Sequence, residues 1–442
     1  MPTGSSSLPI APSGGFSSGP GSDVPLAALR EPVRSLYIHV PFCFHKCHYC
    51  DFYSFVDTQD RQPEFVERLI AELRAASAHA ARVQGAGRPT LDTIFVGGGT
   101  PSLLKPDLWR RLLDALGGLF ETAPGHEFTV ECNPETVSAE LMEVLVAGGV
   151  TRVSIGAQSS HAAHLKTLER WHDPANVERA LRLAADAGIA RRSIDLIFAI
   201  PGQTLADWEG DLDWALGLAG GAGSGEGGVE HVSCYALTYE PNTAMTRRLE
   251  RGEFVPAPDD LEVAMQRLTA RRLAEAGLER YEVSNFALAG AECRHNMAYW
   301  RQDQWLACGP SASGHAAGHR WKNVPRLADW MSGVAARGGY SPMVDHETPD
   351  ASRALAERIM TGLRLREGLP EAEILGRAAA LGAENPLRRA AELQARRGLL
   401  LVAGGRWTLT EDGLLFADGI ASDLMSSLGG ARRGPGGGPS AS

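Results

Sequence analysis

The sequence predicts an α/β protein built on a parallel sheet, either a barrel or part-barrel or a doubly wound sheet, followed by a helical, winged-helix-like region. Two patterns carry that reading. From Arg34 to about residue 237, short apolar runs rich in β-branched residues alternate with long amphipathic ones, six times over. Strands that alternate with helices make parallel sheets. Beyond residue 350 the alternation stops, and helical stretches lead into Gly398 to Thr410, which folds back at Gly404-Gly405 as a short hairpin.

The strands expected are 35–40, 92–96, 127–132, 151–156, 192–198 and 231–236. Each is a run such as Asp92-Thr93-Ile94-Phe95-Val96, whose branched and aromatic side chains suit a pleated, buried surface. Helices are expected near 62–84, 107–120, 138–148, 174–188 and 205–218, with a glycine-rich loop at 217–228 entering the last strand. These elements make a core of residues 34–237. Residues 238–345 break the repeat and read as an extension of the core, with a helix near 258–277. The region 346–426 carries helices near 350–365, 370–381 and 385–398 before the hairpin. Residues 1–33 and 427–442 are rich in Gly, Ser, Pro and Ala, cannot build a core, and are expected as disordered tails. The first tail has neither the charged start and apolar run of a signal peptide nor the Arg content of a transit peptide.

A chain of 442 residues has room for two or three domains and a large core. No apolar run reaches the roughly eighteen residues of a membrane span. The net charge of -10 argues against a general nucleic-acid binder, although winged-helix-like folds often bind DNA. Seven cysteines, three clustered and four scattered, do not form a secreted disulfide framework. They suit a reducing cytoplasm, where an oxygen-sensitive centre also survives.

The cluster is Cys43, Cys47 and Cys50, spaced C-x3-C-x2-C directly after an apolar run. Three thiols within eight residues can converge on one inorganic centre. A closed structural zinc site takes four ligands, so zinc would need His39, His45 or His48 as well. Iron–sulfur clusters are normally held by four thiolates; three on a four-iron cluster leave one iron open to a ligand. At the expected C-terminal ends of the strands, where barrel enzymes carry their active groups, stand further polar residues. Gly97-Gly98-Gly99-Thr100-Pro101 follows the second strand and lets a backbone approach a ligand closely. Glu131 closes the third strand, Gln158 follows the fourth, and Asp195 sits in an otherwise apolar fifth. A carboxylate there needs a partner or a ligand, and Arg170 or Arg192 could serve as a salt-bridge partner.

The cysteine spacing resembles that of the radical S-adenosylmethionine (SAM) superfamily. The resemblance implies a (β/α)6 partial TIM barrel and a 4Fe–4S cluster on Cys43, Cys47 and Cys50. It also implies SAM chelated to the open iron and cleaved, in that superfamily, to a 5'-deoxyadenosyl radical. Carried over residue by residue, it implies SAM contacts from Gly98, Gly99, Thr100, Glu131, Gln158, Arg170 and Asp195, and from Tyr37 and Tyr49.

Tyr37-Ile38-His39-Val40-Pro41-Phe42-Cys43, Gly97-Gly98-Gly99-Thr100-Pro101, Glu131-Cys132-Asn133-Pro134, Ser154-Ile155-Gly156-Ala157-Gln158 and Ile194-Asp195-Leu196-Ile197-Phe198 narrow the likeness. Together they resemble one subgroup, which holds the oxygen-independent coproporphyrinogen III oxidases and the HemW heme chaperones. The oxidases carry a fourth cysteine two residues past the third, where this chain has Phe52. His295-Asn296-Met297-Ala298-Tyr299-Trp300 matches the H-N-x-x-Y-W motif of the HemW branch. That resemblance implies heme as a cofactor, with His295, Asn296, Tyr299 and Trp300 at its surface. An imidazole can ligate iron, flat aromatic faces suit a porphyrin, and Cys293 and Cys308 are alternative thiolate ligands. It further implies heme-requiring respiratory proteins as recipients, a ferredoxin or flavodoxin as electron donor, and a cytoplasmic location. A peripheral membrane contact and a homodimer stay open, as does productive cleavage of SAM. The other reading, oxidative decarboxylation of coproporphyrinogen III, lacks its fourth cysteine.

Overall fold

The computed structural model describes residues 21–85, 87–218 and 228–428. The outer parts of both expected tails and residues 219–227 of the glycine-rich loop lie outside these. The chain forms two compact units, described separately. The first takes the residues up to 279 together with 284–295 and 304–347; the second takes 280–283, 296–303 and the residues from 348.

The first unit is built on the expected repeat. Its strands are Ser35–Val40, Thr90–Gly98, Glu121–Cys132, Arg152–Gln158, Arg191–Phe198 and His231–Ala236. Each pairs in parallel with the next, as in Leu36↔Ile94, Ile94↔Phe128, Val130↔Val153, Ile155↔Ile194 and Ile194↔Val232. The first and sixth strands do not pair with each other, so the barrel stays open. The sixth is flanked by the antiparallel strand Asn285–Ala287. The first pairs on its other side with Trp305–Cys308, also in parallel, and the sheet runs on through Ser313–Ala316, His319–Asn323 and Met343–Glu347.

Helices cover the sheet because their apolar stripes have the right period. Gln62–Gln84 buries Phe65, Val66, Leu69, Leu73, Ala76 and Ala80. Pro106–Leu119 starts with Pro in its first turn and buries Leu108, Trp109, Leu112, Leu113 and Leu116. Truncating one such leucine to alanine costs roughly 2–5 kcal/mol.

The expected first tail needs a correction. Residues 21–33 belong to the barrel unit: Asp23–Ala27 is helical, and Leu26, Leu29 and Val33 are buried in the main core. Ser22 N–H donates to the Ser341 carbonyl at 2.8 Å, and Ser341 N–H donates to Ser22 Oγ at 3.1 Å. Leu26 lies in that helix, whereas Leu29 and Val33 are buried in the extended stretch beyond it, and the surrounding Gly, Ser and Pro mask these apolar residues in the sequence.

The second unit packs Ala351–Gly362, Glu371–Ala380, Glu384–Arg396 and Ala417–Ser426 around Leu355, Ile359, Ile374, Leu387, Trp407, Ile420 and Leu424. The hairpin is Leu400–Ala403 against Arg406–Leu409, and Leu369–Pro370 adds a third strand. Gly404 and Gly405 both have positive φ (59° and 72°), the conformation of a two-residue type I′ turn. This unit also takes in part of the expected core extension. Arg366 N–H donates to the Tyr281 carbonyl at 2.9 Å, and the Arg301 guanidinium grips Glu367 at 2.9 and 3.1 Å. Among the described residues, no helix is long and apolar enough to cross a membrane.

Candidate metal and cofactor site

All the residues singled out at strand ends fall on one rim of the open barrel, because the six strands are parallel. The first strand delivers the cysteine loop. Phe42–Cys43 pairs with Phe55–Val56 and closes the loop at its base. Cys50 N–H donates to the Cys47 carbonyl at 3.2 Å, and Met245 N–H donates to the His48 carbonyl at 2.8 Å. Cys43 is buried, Cys47 and Cys50 are half-buried, and all three are unpaired thiols. Thr100 Oγ1 donates to Cys43 Sγ at 3.5 Å, and Arg170 Nη1 donates to Cys47 Sγ at 3.5 Å. Burial, followed by the neighbouring Cys47 and Cys43, pushes the Cys50 thiol up to about 11. A thiol so disfavoured as a free thiolate gains from a cationic centre that takes its charge.

Such a centre is either a single ion or a cluster. Among the described residues, no three His, Cys, Asp or Glu side chains converge closely enough to hold a single ion. The histidines that could complete a zinc site differ in their surroundings. His39 is buried, with Nδ1 3.0 Å from the Tyr37 hydroxyl and Nε2 2.8 Å from the Tyr53 carbonyl. His45 stacks on Trp171 at 4.3 Å between centroids. His48 Nδ1 is 3.2 Å from Arg248 Nη1. Cys43, Cys47 and Cys50, on one loop, would hold a four-iron cluster, which would supply one iron open to a further ligand.

The glycine run lies beside this loop, and two of its glycines are required. Gly98 has φ +110°, and a Cβ there would sit 2.4 Å from the His39 ring. A Cβ at Gly97 would lie 2.8 Å from Glu131 Oε2. Gly98 N–H donates to that same Oε2 at 3.0 Å, while Gly99 N–H donates to the Val40 carbonyl at 2.8 Å. The glycine loop is thus wedged between the cysteine loop and the third strand.

Glu131 and Asp195 share this rim. Burial, and then the like charge of Asp195, raises the Glu131 carboxyl from 4.5 to about 7. Burial also raises Asp195, against the hydrogen bonds of Ser233 and Ser154 and the field of Arg152. Ser154 Oγ is 3.2 Å from both Asp195 oxygens. Neither salt-bridge partner considered from the sequence is used. Arg192 turns away to the Ile189 and Gly228 carbonyls, and Arg170 Nη2 donates to the Gly156 carbonyl at 2.9 Å. Two acidic groups pushed toward neutrality beside an open rim make a site that favours a cationic ligand.

Gln158 is buried and holds φ +66°, a strained conformation for a residue other than glycine. Tyr49 packs among Leu168, Ile197, Ile200, Leu237 and Met245, and burial raises its hydroxyl. Tyr37 is raised by burial and then by Glu131. Phe52 is 62% exposed, on the outside of the cysteine loop.

The second group of expected residues sits on the helix Arg294–Arg301. The His295 ring is fully buried against Phe95, with Nδ1 2.8 Å from Thr93 Oγ1, and burial lowers its pKa to about 3. Glu127 accepts from the backbone N–H groups of Arg294 (2.8 Å) and His295 (3.0 Å), capping the helix start. His295 belongs to the barrel unit, whereas Asn296, Tyr299 and Trp300 are half-buried and belong to the second unit. The Arg364 guanidinium lies 5.1 Å over the Trp300 ring. Cys293 and Cys308 are buried; Cys293 donates to Glu127 at 3.4 Å, and burial pushes Cys308 far up.

The reading from sequence missed Thr93, Ser154 and Glu127. Polar residues at alternate positions of apolar strands, such as Thr93 and Glu127, are the signal that finds them.

The class is that of an open α/β barrel with three thiols in the loop after its first strand, Glu131 near the end of its third and Asp195 within its fifth. The radical SAM superfamily pattern matches residues 37–215. The heme chaperone HemW of Mycobacterium tuberculosis (strain H37Rv) is 38% identical over 402 residues, covering 90% of this chain and 97% of that one. The heme chaperone HemW of Bacillus subtilis (strain 168) is 31% identical over 400 residues, covering 90% and 100%. Coproporphyrinogen III oxidase (HemN) from Escherichia coli superposes with a TM-score of 0.77 over 91% of this chain and 92% of that one. At 20% identity that likeness speaks for the fold alone. The chain belongs to the HemW family of the radical SAM superfamily. Membership of the superfamily implies a 4Fe–4S cluster and SAM.

Proposed function

We propose that this protein is a heme chaperone that holds a 4Fe–4S cluster and SAM and delivers heme to respiratory proteins of the cytoplasmic membrane. The observation that carries the cluster half of the reading is the set of Cys43, Cys47 and Cys50 in one loop, beside a glycine run and two destabilised carboxylates. When bound, the cluster supplies an open iron for SAM and a store for one electron from a ferredoxin or flavodoxin. The protein's own residues do the rest. Cys43, Cys47 and Cys50 ligate; Thr100 and Arg170 donate to their sulfurs. Glu131, Gln158 and Asp195, with Tyr37, Tyr49, Gly98 and Gly99, line the SAM pocket.

The heme half rests on the names of the relatives and on His295 to Trp300. Complete burial of His295 supports an anchoring role for that residue, with Asn296, Tyr299 and Trp300 nearer the ligand. Decarboxylation of coproporphyrinogen III is disfavoured, since Phe52 stands where the oxidases carry a fourth cysteine.

The test is anaerobic purification and cluster reconstitution, followed by heme titration with and without SAM and a separate decarboxylation assay. Stoichiometric heme binding without turnover of coproporphyrinogen is expected. Turnover, or no heme binding to the cluster-loaded protein, would overturn the proposal.

A further inference from the structure

A carboxylate-recognition site stands beside the aromatic end of the His-Asn-x-x-Tyr-Trp helix, wholly within the second unit. The helix ends at Trp300 and Arg301, and both neighbours engage the segment 364–367. Arg301 binds Glu367 in two-pronged fashion at 2.9 and 3.1 Å. Arg364 lays its guanidinium over the Trp300 ring at 5.1 Å, the arrangement in which an aromatic face holds a cation flat. The segment itself is fixed: Glu282 bridges to Leu365, and Arg366 N–H donates to the Tyr281 carbonyl at 2.9 Å. The guanidinium is therefore presented in one orientation.

Its present partner is loosely held. Arg364 Nη1 donates to Asp418 Oδ1 at 2.8 Å, and the Asp418 side chain is 76% exposed. A surface pair of that kind contributes little net stability, so another carboxylate can take the place of Asp418 at small cost. Two donors in the same contact have no hydrogen-bond partner: Arg364 Nε and Trp300 Nε1 are both buried and unsatisfied. Leaving such groups without an acceptor is costly. A ligand that brings its own carboxylate to this edge satisfies a need the fold leaves open. The guanidinium also covers one face of Trp300, so a flat ligand meets this tryptophan at its edge or its other face.

We infer that Arg364, set by Trp300, binds a carboxylate of an amphipathic aromatic ligand, here a propionate of the tetrapyrrole, with Asp418 as the placeholder it displaces. This rests on the proposed heme binding and adds which group of the ligand is read, and by what.

The experiment compares hemin with its dimethyl ester, in which both carboxylates are masked, on the full-length, cluster-loaded protein. Wild type is expected to bind hemin roughly tenfold tighter than the ester, the scale of one hydrogen bond to a charged group. Arg364→Gln should lose that preference while its affinity for the ester stays unchanged. Asp418→Asn, which removes the placeholder, should bind hemin at least as tightly as wild type. Iron content and far-UV circular dichroism establish that both variants fold. If Arg364→Gln keeps the full preference for hemin, or wild type shows none, Arg364 is not the reader and only this inference falls. If wild type binds neither compound, the heme reading itself falls and takes this one with it.

Discussion

Substituting Gly98 by alanine tests the wedge that joins the cysteine loop to the glycine loop. A side chain at φ +110° costs about 1–3 kcal/mol of backbone strain. The new Cβ would also sit 2.4 Å from the His39 ring. That ring cannot simply swing aside, because Nδ1 and Nε2 are held by Tyr37 and by the Tyr53 carbonyl. Displacing it breaks two hydrogen bonds, each contributing about 1 kcal/mol. The total is about 3–5 kcal/mol, concentrated where Gly98 N–H meets Glu131. Calorimetric titration of SAM into the reconstituted protein should show at least a tenfold loss of affinity, with iron content near that of wild type. His39→Ala makes room for the extra carbon, so the double variant should recover part of the loss, with a coupling energy of about 1 kcal/mol or more. Unchanged SAM affinity in Gly98→Ala, or strictly additive losses in the pair, would refute the wedge.

Further outcomes follow from the same site. Serine in place of any one of Cys43, Cys47 or Cys50 should lower iron and sulfide content after reconstitution, with the barrel still folded by circular dichroism. Folding raises the Glu131 carboxyl from 4.5 to about 7, so its contribution to stability is complete below pH 4.5 and lost as pH rises through 7. The loss is about 3 kcal/mol, and the difference in urea midpoint between wild type and Glu131→Gln, followed from pH 4.5 to 8, should reveal it. Ionised Glu131 favours a positively charged ligand, so SAM affinity should rise through pH 7 in wild type and stay flat in Glu131→Gln. His295→Ala removes a fully buried ring and its bond to Thr93. It should cost about 2–4 kcal/mol in denaturant unfolding while leaving the heme absorption bands in place; a shifted Soret band would restore His295 as an iron ligand.

Much of the barrel was legible because its signals are local. Strands such as Ser35–Val40 and helices such as Gln62–Gln84 declare themselves by period and by bounding glycine and proline. The cysteine spacing and the polar residues at strand ends were equally plain. What stayed hidden depends on residues far apart in the chain. Nothing near Thr93 announces His295, two hundred positions later, and nothing near Glu127 announces the helix it caps. Asp195 invited a salt bridge with Arg170 or Arg192, because sequence cannot tell that Ser154 and Ser233 already face it. The packed residues 21–33 were lost in a compositional background of Gly, Ser and Pro that averages out three apolar side chains.

The first strand lies between two partners of very different age. On one side is Thr90–Gly98, and on the other is Trp305–Cys308, made some 270 residues later. Gly309, just beyond that late strand, packs its backbone against His39 so tightly that a Cβ would lie 2.4 Å from the His39 carbonyl oxygen. During synthesis the three thiols therefore emerge early but acquire their final surroundings late. Pairings between segments so distant are slow to form, and until they form the first strand lacks one of its two neighbours. A truncation before residue 305 would keep all three cysteines of the loop while removing the strand and the glycine that pack against the first strand and His39.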